Sequence, residues 1–329
     1  MFQYLKKYSI MYKKRIKFEE GERARMEIIN LKTMANEELT DNTIVALGTF
    51  DGCHMAHKEV LSSAFYEAKK KGIKSIAYTF DAPPRFKAGT GTIYTLYEKI
   101  KAIKAIGIDY IAVDSFESVK SLTPKEFFDS VLISRLNAIG ATCGYNYKFG
   151  KGATASGIDL QELFLEKCGG SVVICDKIVV DNYAVSSTLA REYIKNGEVE
   201  NLFSLGTNYS VYSRVEEGKH LATKMGLPTI NQYFPEGKLV PKHGVYITEC
   251  EIGEDVYPAI TNVGVRPTTD QNGRVNMETH IIGYRGYLYG SHIRVNFYKY
   301  LREEKKFDSK EELFLQIERD KASAIHYFK

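Results

Sequence analysis

The chain has 329 residues, of which 44% are hydrophobic and 12% aromatic, and this length and composition predict two globular domains with apolar cores. Its net charge of +4 is concentrated in residues 1–25, which sum to +5, so the rest of the chain is nearly neutral and a general nucleic-acid-binding role is disfavoured. The sequence has no apolar stretch of about 18 residues, no signal-peptide pattern and no metal-site cysteine spacing, so we expect a cytoplasmic protein without a membrane span.

In chain order, residues 1–25 are predicted to form a basic, loosely ordered extension. From Ile44 to about Cys175, short apolar runs alternate with helical patterns, which predicts βαβ units and a parallel sheet. The predicted strands are 44–47, 75–80, 110–113, 142–145 and 172–175. The predicted helices are 59–71, 96–106, a segment from Thr123 to Leu136 with a capping box at its start, and 187–195.

The most informative motif is residues 48–57, Gly-Thr-Phe-Asp-Gly-Cys-His-Met-Ala-His, which follows the first predicted strand. Glycines let the backbone approach a phosphate, and a helix N-terminus offers free N–H donors to an anion. Histidines at i and i+3 share a helix face, so His54 and His57 can both donate to phosphate oxygens as charge develops. The pattern is typical of attack on the α-phosphate of a nucleoside triphosphate. The phosphate-binding candidates of this turn are Gly48, Thr49, Phe50, Asp51 and Gly52.

After about Tyr209 the sequence becomes rich in β-type patterns. Strand-like runs occur at 209–215, 244–252, 256–263, 276–282 and 292–298, with turn signals between them, and they predict an antiparallel barrel or sandwich. A helix is predicted at about 309–328. Three motifs lie in this half: Gly-Leu-Pro-Thr-Ile-Asn at 226–231, Asn-Val-Gly-Val-Arg-Pro-Thr at 262–268, and Met-Glu-Thr-His at 277–280.

Together with the histidine motif, these segments resemble the bacterial bifunctional riboflavin kinase/FAD synthetase family, from about Met26 to the C-terminus. The resemblance implies an α/β Rossmann-like nucleotidyltransferase domain followed by an antiparallel β-barrel riboflavin-kinase domain with a C-terminal helix. The implied boundaries are 1–25 for the extension, 26–200 for the FMN adenylyltransferase domain and 201–329 for the kinase domain. The implied substrates are ATP, riboflavin and FMN, with Mg²⁺ as the cofactor. No nucleic-acid or membrane partner is expected, and the oligomeric state is left open.

The resemblance also implies roles for individual residues. In the kinase domain, Glu278 would accept the proton of the riboflavin 5′-hydroxyl, while Thr229 and Asn231 would bind Mg²⁺. In the adenylyltransferase domain, His54 and His57 would be catalytic. The remaining implied contacts are Ser186, Ser187, Thr188, Arg191, Gly218 and Lys224 with nucleotide phosphates, and Asn146, Tyr147, Phe149 and Arg266 with the flavin, Asn146 being a further Mg²⁺ candidate.

The chain departs from the family pattern mainly in its first half. Ala56 replaces a glycine, the histidine expected near Pro84 is missing, Asn146 replaces an aspartate and Leu189 replaces an arginine. These departures leave open a monofunctional riboflavin kinase with a degenerate adenylyltransferase domain. A non-catalytic flavin-binding regulator and a nucleotidyltransferase for another phosphate ester are further alternatives.

Overall fold

The computed structural model describes residues 27–31, 39–81, 91–216, 229–265 and 274–329. Contacts divide these residues into two compact units. The first contains the described residues up to Asp81 together with Lys99–Tyr183, and the second contains 91–98 together with Ala184–Lys329.

The first unit is built on a six-stranded parallel sheet with the order β1-β4-β3-β2-β5-β8. Its strands are β1 Glu27–Asn30, β2 Thr43–Leu47, β3 Lys74–Phe80, β4 Tyr110–Asp114, β5 Ala138–Gly144 and β8 Ser171–Cys175. Between β5 and β8, the strands β6 Lys148–Phe149 and β7 Ala155–Ser156 form a separate short hairpin. All five residues of β2 are buried, as expected for a central parallel strand covered on both faces.

The helices of this part of the chain follow the sheet strands. They are α1 Met55–Lys71, α2 Leu96–Lys104, α3 Phe116–Val119, α4 Pro124–Phe127 and α5 Gly157–Cys168. Helix α4 begins with the predicted capping box, in which the Thr123 side chain and Glu126 satisfy each other's backbone N–H groups. It continues as a π-helix over Phe128–Arg135, and this wider winding replaces the single regular helix predicted from the sequence.

Two short strands, β9 Val179–Val180 and β10 Tyr183–Ala184, precede the second unit's helix α6 Ser187–Asn196 and a closed antiparallel barrel. The barrel order is β11-β12-β15-β14-β13-β16, so each strand pairs with two neighbours. Its strands are β11 Tyr209–Glu216, β12 Thr229–Tyr233, β13 Gly244–Ile252, β14 Asp255–Val265, β15 Val275–Ile281 and β16 His292–Arg302.

The barrel interior and exterior differ in chemistry. Inside, the hydroxyls of Thr248, Thr261 and Thr279 form a hydrogen-bonded chain with oxygen separations of 2.8 and 2.9 Å. Outside, the C-terminal helix α7 Lys310–Phe328 packs Ala324 against Ile247 and Ile260. Both the parallel α/β unit and the barrel with its C-terminal helix were predicted from the sequence, and both predictions are confirmed.

Candidate functional site

The histidine motif lies where β2 ends and α1 begins. His54 is the N-cap of α1, and its Nδ1 accepts a hydrogen bond of 3.4 Å from the His57 backbone N–H. The two imidazole rings stack with centroids 3.7 Å apart and an interplanar angle of 16°. Because Nδ1 of His54 is an acceptor, the proton of the neutral ring sits on Nε2, which can donate to an anion. The predicted shared face of the two histidines is therefore present.

The turn before α1 has a strained backbone. Phe50 and Cys53 adopt positive φ angles of 49° and 38°, and Gly52 between them has φ of 78°. Such angles are unfavourable for residues other than glycine, and they are enriched in turns and at functional sites. Asp51 is buried in this turn with 2% exposure, and the Phe50 ring packs edge-on against His57 at a centroid distance of 5.5 Å. The tertiary structure thus holds an unusual turn directly at the N-terminus of a helix.

Lys99 on α2 supplies a buried cation near this turn, and it was not among the residues predicted from the sequence. Its Nζ donates to the Phe80 carbonyl at 2.8 Å and to Thr79 Oγ1 at 3.3 Å, both at the end of β3. Thr79 Oγ1 in turn donates to the Thr49 carbonyl at 3.0 Å. Burial lowers the pKa of Lys99 to about 8, while the negative charges of Asp51 and Asp81 act in the opposite direction. Lys99 therefore links the end of β3 to the histidine-bearing turn.

Cys53 of the same turn is a packing residue. It is 1% exposed, and burial raises the pKa of its thiol to about 11 in spite of the positive charges of Lys58 and Lys99. A thiol with such a pKa is protonated at neutral pH and is a poor nucleophile.

The predicted flavin-contact loop also lies in the first unit. Asn146 is exposed, whereas Phe149 is 6% exposed and belongs to the apolar core. Tyr147 stacks on Phe149 with centroids 5.9 Å apart and packs against the same core, and burial raises its pKa strongly. The polar residue of the predicted trio thus faces solvent, while the two rings contribute to packing.

The Ser-Ser-Thr motif opens helix α6, which belongs to the second unit. Ser186 is the N-cap and accepts a hydrogen bond of 3.2 Å from the Leu189 N–H, while Ser187 and Thr188 occupy the first turn. Arg191 is half-buried, and its Nε donates to the Gly91 carbonyl at 3.3 Å. The motif therefore forms a capped helix start, and its predicted role with the β- and γ-phosphates stays a prediction.

A row of polar side chains crosses three strands on the outer face of the barrel. Asn231 on β12 lies directly opposite Glu278 on β15, which lies directly opposite Asn262 on β14. In the next row, Thr229 lies opposite His280. Opposed residues share a face of the sheet, and their Cβ atoms are about 5 Å apart. The register thus brings together Thr229, Asn231 and Glu278, three residues that the sequence predicted for one site.

A small cavity of about 90 Å³ adjoins Thr229 and includes Arg285 and Tyr289 among its lining residues. Arg285 was not singled out from the sequence, because the loop after β15 has no motif that marks it. The predicted contacts Gly218, Lys224 and Arg266 lie outside the described residues, as does Pro84, where the family histidine was expected.

The described residues contain no group of three or more His, Cys, Asp and Glu side chains placed to hold a metal ion. Thr229 and Asn231 instead offer neutral oxygens, which suits Mg²⁺ because this ion retains waters and shares the phosphate oxygens of a nucleotide. In the described ranges, no helix combines the length and the apolar character needed to cross a bilayer.

Comparisons with known proteins match two family models to successive parts of the chain. The family model for FAD synthetase matches residues 36–189, and that for riboflavin kinase matches residues 205–328. A bifunctional riboflavin kinase/FMN adenylyltransferase from Bacillus subtilis is 32% identical over 87% of this chain and 92% of its own length. A protein of the same name from Pseudomonas fluorescens is 30% identical over 85% of this chain and 91% of its own length.

Among solved structures, a Streptococcus pneumoniae protein named as a macrolide-efflux protein superposes with a TM-score of 0.81 at 26% identity, covering 90% of this chain and 98% of its own. The fold therefore extends over nearly the full length of both chains. The resemblance inferred from the motifs is confirmed by two family models and by relatives that match over about nine tenths of their own length. This chain belongs to the family of bifunctional riboflavin kinase/FMN adenylyltransferases.

Proposed function

We propose that the chain phosphorylates riboflavin to FMN with ATP and then joins FMN to AMP, giving FAD and pyrophosphate. One observation supports this proposal most directly. Each part of the chain that matches a family model contains its own group of polar side chains, the histidine turn in the first and the Asn231–Glu278 row in the second. Matches over both halves support flavin cofactor biosynthesis, and they do not favour a lone kinase, a non-catalytic regulator or an unrelated nucleotidyltransferase.

In the kinase reaction, Glu278 accepts the proton of the riboflavin 5′-hydroxyl as its oxygen attacks the γ-phosphorus, and ADP leaves. A positioned carboxylate assists because an alcohol is a weak nucleophile. Thr229 and Asn231 would hold Mg²⁺, which neutralises phosphate charge when bound. The Asn231–Glu278 register supports this assignment, since it places the base next to an oxygen ligand on the same face.

In the adenylyl transfer, a phosphate oxygen of FMN attacks the α-phosphorus of ATP and pyrophosphate leaves. His54 and His57 donate to the α-phosphate oxygens, where negative charge accumulates. Ser186, Ser187, Thr188 and Arg191 are proposed contacts of the departing pyrophosphate. Asn146, Tyr147 and Phe149 remain proposed contacts of FMN, with the exposed Asn146 the most accessible of the three.

We assign adenylylation to residues 26–200 and phosphorylation to residues 201–329, and we place the enzyme in the cytoplasm. All five cysteines are free, which supports a reducing compartment.

The test supplies riboflavin and FMN separately with Mg-ATP and resolves products by chromatography. We expect Glu278→Gln to abolish FMN formation from riboflavin while FAD is still formed from FMN. His57→Ala should have the opposite effect, lowering FAD formation by about 100-fold or more with FMN formation retained. Thermal unfolding of each variant controls for folding. A wild-type protein that forms neither product would refute the proposal, and one that makes FMN but no FAD would restrict it to the kinase.

A further inference from the structure

Asn262 on β14 has a buried amide oxygen that the proposed chemistry leaves unexplained. Its Oδ1 is shielded from solvent and has no hydrogen-bond partner within the described part of the chain. Buried polar atoms nearly always have a partner, so this acceptor calls for a donor that the described residues do not supply. Asn262 lies directly opposite Glu278, whose carboxylate carries no donor when ionised.

The orientation of the Asn262 amide is fixed by its other contact. Nδ2 of Asn262 donates to Glu304 Oε1 at 2.8 Å. An ionised carboxylate only accepts hydrogen bonds, so the NH₂ group must face Glu304 and Oδ1 must face away from it. Glu304 therefore determines which atom of Asn262 is presented as an acceptor.

Gly264, two residues along the same strand, makes room for this arrangement. A Cβ built on Gly264 would overlap the carboxylate of Glu304. Any side chain at position 264 would therefore displace Glu304 from Asn262. This gives a physical reason for the Asn-x-Gly spacing of the motif at 262–268.

The position of Asn262 in the row indicates what the donor is. Asn231, a proposed Mg²⁺ ligand, lies on one side of Glu278, and Asn262 lies on the other. Neighbouring strands are about 4.8 Å apart, so Asn231 and Asn262 are separated by roughly 10 Å of sheet. In phosphoryl transfer the attacking oxygen lies opposite the leaving group, so an alcohol that meets Glu278 approaches from the side away from the metal and phosphates.

We propose that Asn262 is a specificity residue for the alcohol substrate. Its Oδ1 accepts a hydrogen bond from a second hydroxyl of a polyol side chain, next to the hydroxyl that gives its proton to Glu278. Glu304 and Gly264 are positioning residues that hold the amide in this orientation. The inference rests on the proposed kinase function and specifies its substrate class, namely an alcohol with a neighbouring hydroxyl.

The test is a two-by-two comparison of protein and substrate. Wild type and Asn262→Ala are assayed with riboflavin and with a flavin analogue whose pentyl side chain carries only the terminal hydroxyl. We expect Asn262→Ala to lower kcat/KM for riboflavin by about 10- to 100-fold and to leave kcat/KM for the analogue within about twofold. Where the analogue reacts too slowly, dissociation constants from flavin fluorescence provide the same comparison. Equal losses with both flavins would overturn the inference.

Asn296→Ala is the matched control. Asn296 on β16 donates to Glu251 at 3.0 Å, an equivalent Asn–Glu hydrogen bond outside the Glu278 row, so we expect the same relative preference for riboflavin as in wild type. Glu304→Ala and Gly264→Ala keep Asn262 but release its amide, and both should weaken the preference in the same direction as Asn262→Ala. These two variants keep the inference testable if Asn262→Ala folds poorly. If both retained the wild-type preference for riboflavin over the analogue, the inference would be contradicted. Absence of FMN formation by wild type would instead refute the proposed function.

Discussion

Lys99 shows how one side chain can connect sheet and motif in the first unit. The side chain is buried at 4% exposure, and its ammonium donates hydrogen bonds to the Phe80 carbonyl and the Thr79 hydroxyl. Burial of a cation is unfavourable and lowers its pKa, here to about 8. The free energy of unfolding should therefore carry a pH dependence that belongs to this residue.

The sign follows from proton binding. An unfolded Lys99 has the ordinary pKa of 10.5, so between pH 8 and 10.5 the unfolded chain holds more of this proton than the folded chain. Unfolding free energy then rises with pH, and the full burial penalty applies only below about pH 8. As the pH is raised from 8 to 10.5, the unfolding free energy of wild type should increase by up to about 3 kcal/mol relative to that of Lys99→Met, measured by urea unfolding.

Lys101→Met, on the exposed side of the same helix, is the control for this measurement. The difference in unfolding free energy between this variant and wild type should stay nearly constant with pH. A constant difference for Lys99→Met as well would show that the ammonium is not desolvated.

At this scale the sequence predicted the residues with local spacing better than those that depend on tertiary contacts. His57 lies in the first turn of α1 and His54 is its N-cap, so their proximity follows from the local geometry of a helix start. Lys99 was missed, although a lysine on the apolar stripe of Leu96, Ile100 and Ile103 is a signal of a buried cation. The opposition of Asn231, Glu278 and Asn262 depends on register between distant strands, which no local pattern determines.

Among the elements, apolar periodicity predicted most helices and strands to within a few residues. Strand β12 was missed because its inward-facing Gln232 interrupts the apolar alternation. The structure accommodates this side chain by directing Nε2 to the carbonyls of Ser213 and Ile293 at 2.8 and 2.9 Å. Helix α5 was missed because it begins at Gly157, and glycine is a poor helix former. Strand β1 was missed because it is short, with only four residues paired with β4.

Helix α7 is attached to the barrel by a paired arginine and aspartate. Arg302 donates from Nη2 to Asp320 Oδ2 at 2.7 Å and from Nε to both carboxylate oxygens, and Asp320 is 5% exposed. Removing one partner of a buried pair leaves the other without compensation. Asp320→Ala should therefore lower the free energy of unfolding by about 2–4 kcal/mol, measured by urea denaturation.

The matched control is Glu318→Ala, which removes a more exposed ion pair, that with Lys321 on the same helix. It should change stability by less than about 1 kcal/mol. Similar effects of the two substitutions would argue that Asp320 contributes no more than a surface charge.

For the whole molecule, the reactivity of the five cysteines reports whether the chain is folded, because their side chains differ in exposure. Cys168 is exposed, whereas Cys53, Cys143, Cys175 and Cys250 are buried. We expect a thiol reagent to modify one cysteine rapidly in the native protein and the other four only on unfolding, as counted by mass spectrometry. Cys168→Ser should remove the rapid phase, while Cys53→Ser should leave it intact. Rapid labelling of Cys53 in the native protein would contradict the described turn.

Strand β12 carries the proposed Mg²⁺ ligands and is itself part of the hydrogen-bonded barrel. It pairs with β15 over Thr229–Tyr233, just as β13 pairs with β14 along its full length. Amide hydrogens in paired strands exchange with deuterium only when the strands open locally. Since Asn231 lies in β12, a nucleotide bound there should slow exchange in this strand and leave that of β13 unchanged. Mass-spectrometric deuterium uptake at 229–233 would then report occupancy in a protein whose catalysis has been abolished.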